Sequence, residues 1–314
     1  MSEITVRVVS WNIGKSINKI SDWSSELSNW TILKPDVDIL FVTIQEASKN
    51  IGYGFGEALK TKMGDSYTMI LEKEGTWIPF QNFTVFGYLF VKKSIKVARS
   101  SGNTQNSVCI YKRMYGISAC TKPSVGIGII VAKENKQHKL IFIGSHLPID
   151  TKDKETLGNL DRIDAIKIIN DDVILPITKE LDGCDTVFWA GDMNFRMIDD
   201  VDQLDQLFKN RLSELTDFIE HARSFNPTCR YVEYDGISDY QQFVDVRMSK
   251  SGYDSKRTPS FCDRIIYKGK FEPIVYYSWP KTRIDYPVSI AYSDHEPVVL
   301  EGKIKNESPI MVGG

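Results

Sequence analysis

The sequence predicts an α/β (α+β) protein in which two sheets pack face to face with helices outside. Three observations predict it. Short runs dense in Val, Ile and Phe recur from Val6 to Ile304, and runs of that length and composition read as buried strands. Helical periodicity separates some of these runs but not all, so strand content exceeds helix content. A single doubly wound sheet would alternate strand and helix more regularly, so two packed sheets fit better.

The elements follow in order. Val6–Val9 opens the chain as a strand, inside an alternating MSEITVRVVSW segment with no signal-peptide profile. Asp22–Leu33 has helical spacing, and Asp38–Ile44 is the next strand. Ile51, Tyr53 and Phe55 stand among glycines and read as a loop. Phe83–Val91, Val125–Ala132 and Leu140–Ile143 are strands. Thr156–Ile169 is a helix, because Leu157, Leu160, Ile163, Ile166 and Ile169 recur on one face. Val187–Ala190 is a strand, and Val201–Phe208 and Arg211–Ala222 read as helices. Ile265–Tyr267, Pro273–Tyr277 and Val298–Ile304 complete the strands. No repeat or low-complexity linker divides the chain, so residues 1–305 read as one domain and 306–314 as a short tail.

The 314 residues carry 42% hydrophobic and 25% charged side chains and a net charge of −2. That balance offers no electrostatic footprint for a nucleic-acid binder. Five cysteines lie scattered without CxxC spacing, which points to reduced thiols and a cytoplasmic setting. No apolar stretch approaches the ~20 residues of a membrane span.

Six short polar motifs stand in fixed order, each read as closing a hydrophobic run: WNIG at Trp11–Gly14, QE at Gln45–Glu46, SHL at Ser145–Leu147, WAGDMNFR at Trp189–Arg196, PSFCDR at Pro259–Arg264 and SDHEPV at Ser293–Val298. Each has a bland reading alone. Glu46 could start a surface loop, Asn12 could sit in a turn, and Asp192-Met193-Asn194 could be a turn. Asp263-Arg264 reads as a surface ion pair, His138 as solvated, and His221 as a residue near a helix end. As an ordered set they describe a metal-assisted hydrolytic site. Phosphate-ester hydrolysis needs a metal to neutralise charge, an activated water and donors to the phosphoryl oxygens. Mg²⁺ takes one or two carboxylates and keeps several waters; Glu46 suits it, and Asn12 can add a carbonyl oxygen. Asp192 and Asn194, two apart, project together from an extended chain. His146 and His295 can donate to phosphate, and Asp263 is the candidate acceptor that orients His295. No P-loop, GxGxxG or thiolate loop is present.

Together the motifs resemble the inositol polyphosphate 5-phosphatases, a branch of the Mg²⁺-dependent endonuclease, exonuclease and phosphatase group. The resemblance spans about residues 5–303; WxGDxNxR and PxxCDRI are its phosphatase-specific parts. It implies a four-layered α/β/β/α sandwich with mainly antiparallel sheets. It also implies that Asn12 and Glu46 place the metal, that Asp192 activates water, and that Asn194, His146 and His295 contact the phosphoryl group. Asp263 would pair with His295, and Asp294 would lie beside the metal. The family's PTYK motif, which with a following Lys-x-Arg holds a neighbouring 4-phosphate, reads Pro227-Thr228-Cys229-Arg230 here, and Ser255-Lys256-Arg257 precedes PSFCDR. Arg230, Lys256 and Arg257 are thus candidate substrate ligands, with Arg196 and Lys122. Lys122 sits in Thr121-Lys122-Pro123-Ser124, where the family has a glycine-rich loop; Asp150 replaces a second histidine. The resemblance implies Mg²⁺ as cofactor and a phosphoinositide lipid or soluble inositol polyphosphate as substrate. It leaves room for brief peripheral membrane contact; with the cysteine pattern and the net charge, the expectation is a cytoplasmic monomer that does not act on nucleic acid. A nuclease of the same group and a catalytically weak phosphoinositide-binding module are the competing readings.

Overall fold

The computed structural model describes residues 3–14, 19–74, 84–99, 105–114, 117–134, 136–148, 158–195, 197–198, 201–202, 213–249, 252–256, 258–283 and 286–305; side chains at 71–74, 99, 105–114, 117–121, 158–161, 197–198 and 201–202 are not described. Arg196, Arg257, Asp150 and the 306–314 tail therefore lie outside the described residues, as does most of the helix expected at Val201–Phe208.

The first eight strands are β1 (Ile4–Asn12), β2 (Ile39–Ala47), β3 (Tyr67–Glu74), β4 (Thr84–Lys92), β5 (Lys96–Arg99), β6 (Gln105–Met114), β7 (Ile117–Lys133) and β8 (Lys136–His146). The remainder are β9 (Thr186–Asp192), β10 (Met197–Ile198), β11 (Val201–Asp202), β12 (Ile219–Glu220), β13 (Asp263–Gly269), β14 (Phe271–Ser278) and β15 (Val298–Ile304). The helices are α1 (Trp23–Ser28), α2 (Lys49–Met63), α3 (Gly158–Ile169), α4 (Leu175–Glu180), α5 (Tyr240–Arg247) and α6 (Val288–Ala291). One sheet runs β14-β15-β1-β2-β4-β3; the other runs β12-β13-β9-β8-β7-β5, with β6 paired to β7. Neighbours are antiparallel except β1–β2 and β8–β9.

Side-chain alternation explains the layering. In β1, Val6 and Val8 enter the core between the sheets, while Val9 and Trp11 face the layer holding α1 and α2. In β9, Phe188 and Ala190 face that central core, while Val187 and Trp189 meet Ile166, Ile169 and Ile177 of α3 and α4. Strands covered on both faces show hydrophobic runs rather than polar alternation, which is why they were legible. The result is the expected α/β/β/α sandwich.

Five readings are corrected. Residues 51–55 are not a loop but part of α2, capped by Ser48, whose Oγ accepts from the Ile51 N–H at 3.3 Å. The glycines serve packing: a Cβ on Gly52 would stand 2.1 Å from the Phe86 ring. Phe55 is core, and Tyr53 is exposed. Arg211–Ala222 is not a helix. A 3-10 turn at Ser213–Leu215 leads to β12, which pairs with β13 through Ile219↔Tyr267 and Glu220↔Ile266. Glu220 accepts from buried Arg264 at 2.6 Å, so the sheet edge captures the segment and Arg264 is no surface ion-pair partner. His221 accordingly stands at no helix end. His138 is buried in β8 rather than solvated. The helix expected at Thr156–Ile169 is described from Gly158, residues 156 and 157 lying outside the described residues, and it continues through a π turn, Asn170–Ile174, into α4. Pro176 follows that turn and has no N–H to give the preceding turn, and the wider π turn leads the chain into it.

Candidate active site

The two parallel pairs bring strand ends together. In the second sheet His146 lies opposite Asp192, and Asp192 opposite Asp263, so three adjacent strands offer one row of titratable groups. Because β13 is antiparallel to β9, the start of β13 meets the end of β9. The expectation that every motif closes a strand is corrected here: Asp263 opens β13, and the Ser293–His295 turn precedes β15. In the first sheet Asn12 lies opposite Gln45, and Glu46 follows. Gly191 permits the close approach of β8 and β9, since a Cβ there would meet the Ser145 carbonyl oxygen at 2.0 Å.

Glu46, Asn194 and Arg230 have φ of 60°, 52° and 85°. Left-handed backbone at non-glycine residues costs about 1–3 kcal/mol each and persists only where its surroundings impose it. All three stand around the same row.

Asp192 is the hub. Its Oδ1 accepts from the Asn194 N–H at 2.9 Å, and its Oδ2 accepts from Asn12 Nδ2 at 2.9 Å. His146 Nε2 lies 3.3 Å from Oδ2 and 3.9 Å from Glu46 Oε1. Burial opposes the charge on Asp192, but His146, His295 and Lys122 outweigh it and hold the carboxyl well below its usual range. Burial and the Lys122 ammonium push the His146 imidazole down, against the pull of Asp192. Lys122 Nζ contacts both ring nitrogens of His146. Asn194 Nδ2 donates to the Leu147 carbonyl at 2.8 Å, which fixes the amide plane.

His295 forms the second half. Its Nδ1 lies 2.8 Å from Asp263 Oδ2, which also accepts from Thr228 Oγ1 at 2.8 Å. Burial works against the cation, yet Asp263, Asp294 and Asp192 together push His295 well up. Burial lifts Asp263 to about 6, against the pull of His295. His295 Nε2 faces Cys229 Sγ at 3.4 Å and Asp294 Oδ1 at 3.7 Å. Arg230 reaches Asp294 Oδ2 at 3.7 Å. Lys256 is exposed, and its N–H bonds Asp254, whose own N–H bonds the Arg230 carbonyl.

Asn12, Glu46, Lys122, His146, Asp192, Asn194, Arg230, Asp263, Asp294 and His295 thus gather at one end of the two sheets, with Lys256 on a neighbouring turn. Three contributors went unassigned in the sequence. Thr228 braces Asp263; Ser293 Oγ donates to the Asn12 carbonyl at 2.8 Å and accepts from the His295 N–H at 3.1 Å. Cys229 meets His295. All three lie inside the motifs already singled out, which was the signal available.

The donor set fits a small hard cation. Four carboxylates (Glu46, Asp192, Asp263 and Asp294) and the Asn12 carbonyl supply oxygen. Among the described residues Asn12 Oδ1 accepts one N–H, from Gly14 at 3.0 Å, which leaves a second lone pair to offer. Glu46 and Asn12 would hold Mg²⁺, whose preference is few carboxylates and several waters.

The model of the family described as Endonuclease/Exonuclease/phosphatase family 2 matches residues 9–301. The chain belongs to this family. Among curated relatives, the polyphosphatidylinositol phosphatase INP53 of Saccharomyces cerevisiae is 26% identical over 97% of this chain. The type IV inositol polyphosphate 5-phosphatase 3 of Arabidopsis thaliana is 23% identical over 56%. The chain spans 27% and 28% of the lengths of these relatives. Among solved structures, the 5-phosphatase domain of SPsynaptojanin, in complex with inositol (1,4)-bisphosphate and calcium ion, has a TM-score of 0.61 at 21% identity. It covers 96% of this chain and 84% of that one. The Cimex nitrophorin ferrous NO complex has a TM-score of 0.57 at 17% identity and covers 97% and 99%. One sandwich therefore carries a phosphatase domain and a nitrophorin, and function rests on the site rather than the fold.

Proposed function

We propose that this chain is a Mg²⁺-dependent phosphoric monoester hydrolase that removes the 5-phosphate of phosphoinositides or soluble inositol polyphosphates. The observation that carries the reading is Asp192, held anionic between Asn12 and Asn194 in a row with His146 and Asp263. A buried carboxylate with so low a pKa is a weak base. It orients the attacking water through its oxygens and takes the proton as the new P–O bond forms and the bond from phosphorus to the inositol 5-oxygen breaks, that oxygen leaving as a hydroxyl with a proton from solvent. Asn194 and His146 line the approach of that water. His295, kept protonated by Asp263, donates to a phosphoryl oxygen, and Lys122 balances the charge beside His146. Glu46 and Asn12 hold the metal, which when bound neutralises charge on the phosphoryl oxygens. Arg230, with Lys256 and Arg257, reads a neighbouring phosphate, since a guanidinium can bind phosphate through two N–H groups. Arg196 follows the Asp192–Asn194 turn and joins this substrate-binding set.

Support comes from the family match, from two curated relatives named as phosphoinositide or inositol phosphatases, and from motifs that occupy one end of both sheets. Residues 1–305 act as one catalytic unit in this reading. The chain works as a cytoplasmic monomer with brief membrane contact, and a net charge of −2 gives no long-range attraction to anionic lipid or nucleic acid. No helix among the described residues is long and apolar enough to cross a membrane.

The test is phosphate release across inositol phosphates and phosphoinositides, with Mg²⁺ and with EDTA, beside plasmid nicking. Release from 5-phosphorylated substrates, abolished by EDTA, is expected. Nicking without phosphate release would make the protein a nuclease; binding without release would make it a recognition module.

A further inference from the structure

We propose that Cys229, His295 and Asp294 form a second metal site, one for a thiophilic divalent cation of the Zn²⁺ class, and that its occupation shuts off His295. Cys229 stands at the tyrosine position of the PTYK motif that the resemblance implies, so it departs from that motif here. The Sγ of Cys229, the Nε2 of His295 and a carboxylate oxygen of Asp294 all lie within 4.8 Å of one another. A tetrahedral zinc with sulfur at about 2.3 Å and nitrogen at about 2.0–2.1 Å sets those two atoms about 3.5 Å apart. Cys229 Sγ and His295 Nε2 stand 3.4 Å apart. Asp294 Oδ1 lies 3.7 Å from the same nitrogen, so a small movement of the carboxylate closes the third bond.

The surroundings prepare the histidine and the backbone, while the neighbouring Cys262 thiol and burial push the Cys229 thiol up, so the arriving cation must draw off its proton. Asp263 Oδ2 takes the Nδ1 side of His295 at 2.8 Å, which aims Nε2 at Cys229. A carboxylate behind a ligating histidine is the usual support of zinc sites, where it fixes the tautomer and raises basicity. The backbone is fixed as well. Cys229 pairs with Ser260 and His295 in isolated bridges, and the Arg230 and Tyr231 N–H groups both bond the Asp294 carbonyl, at 2.9 and 3.0 Å. Arg230 lies against Asp294 Oδ2, the oxygen turned away from His295, so that pair can persist while Oδ1 ligates. Asp294 is the most exposed of the three, with 15% of its side chain accessible, so the ion enters from that side.

Sulfur makes the site selective. Mg²⁺ prefers oxygen, whereas a thiolate, an imidazole and one carboxylate suit zinc, with a water or a phosphate oxygen in the fourth position. On binding, the Cys229 thiol and the Nε2–H of the His295 imidazolium each lose a proton to solvent, Nδ1–H stays on Asp263, and the metal–sulfur and metal–nitrogen bonds form; nothing is oxidised. The lone pair of His295 Nε2 is then occupied, and the ring can no longer donate to a phosphoryl oxygen. Inhibition rests on the functional reading above; binding does not.

The experiment titrates the whole chain with Co²⁺ and with Zn²⁺ in excess Mg²⁺. Wild type should show a thiolate-to-cobalt charge-transfer band and bind one equivalent of Zn²⁺. Cys229→Ser should lose the band and bind Zn²⁺ about 100-fold more weakly. Asp294→Asn should keep the band with about 10-fold weaker binding. Cys184→Ser should bind as wild type does. Because Cys229→Ser alters a buried thiol, X-ray absorption at the zinc edge of wild type provides a second measure: one sulfur at about 2.3 Å is expected. No band in wild type, a band that survives Cys229→Ser, or a zinc shell without sulfur would each overturn the site. Phosphate release, scaled to each variant's own uninhibited rate, should fall with Zn²⁺ in wild type and resist it in Cys229→Ser. A chain that binds Zn²⁺ this way but releases no phosphate from any inositol phosphate would sink the functional reading and leave the site standing. A chain that releases phosphate and ignores Zn²⁺ does the reverse.

Discussion

Asn12 on β1 donates its amide N–H to Oδ2 of Asp192 on β9 at 2.9 Å, and this bond crosses from one sheet to the other. Both side chains are almost fully buried. The bond locks the carboxylate plane while the Asn194 N–H locks its other oxygen. Charge and orientation at Asp192 thus depend on how the two sheets pack.

Asp192→Asn should lower kcat by about 10²–10⁴-fold, the range for a group that orients and deprotonates a reactant. The thermal midpoint should fall as well, because the pairing with His146, His295 and Lys122 that outweighs burial is lost and the new amide N–H meets a donor on Asn12 or Asn194. Steady-state kinetics beside a melting curve separate these effects. Mass spectrometry during turnover should find no phosphorylated side chain.

Glu46→Gln removes the carboxylate at the end of β2 while Asn12 remains. The Mg²⁺ concentration for half-maximal rate should rise by at least about tenfold, and turnover at limiting Mg²⁺ should fall by orders of magnitude. A Mg²⁺ titration of the rate reads this directly. An unchanged half-saturation point would remove Glu46 from the metal site.

Asp263 and His295 are 2.8 Å apart and buried together. Residues that act as a unit show non-additive losses. The double change to alanine should therefore cost little more in kcat/KM than His295→Ala alone. A double-mutant cycle whose penalties multiply would show two independent roles.

Arg230 sits on the rim against Asp294 in a left-handed backbone conformation. Losing charge-assisted hydrogen bonds costs roughly 1.5–3 kcal/mol, or about 10–150-fold. Arg230→Ala should lose that much on a 4,5-bisphosphorylated substrate and far less on one without the 4-phosphate. Equal losses on both would make the arginine structural.

Glu296 is buried beside Arg247 and accepts from Tyr286 at 3.1 Å; burial pushes its carboxyl up to about 7. The sign follows. The folded chain holds a proton on Glu296 that the unfolded chain releases near its ordinary value of about 4.3. Stability from this group is complete below about 4.3 and declines as pH rises through the window to about 7. Relative to Glu296→Gln, the wild type should lose roughly 3 kcal/mol between pH 4 and 8. Urea unfolding of both chains across that range measures the slope, and parallel curves would refute it.

Strand content and the two-sheet arrangement were legible in the chain itself, and so were the residues that the structure gathers at one end of the two sheets. Strands with both faces covered must be apolar throughout, so Val6–Val9 and Val187–Ala190 announce themselves. Polar residues adjoining such runs are out of place in an apolar interior unless they meet one another, so WNIG, QE, SHL and WAGD announce themselves as well.

What the chain alone left undecided depended on partners distant in sequence. Gly52 marks a helix only because Phe86 packs where its side chain would be. Ile219–Glu220 becomes strand because the edge of β13 and buried Arg264 both require what it offers. His138 is buried because β8 carries it into the sheet. Cys229 acquires chemical meaning only beside His295, 66 positions away. Local pattern determines which faces are apolar; only the packed structure decides which polar atoms meet, since a hydrogen bond or a ligand set is a matter of ångströms between segments that sequence order does not measure.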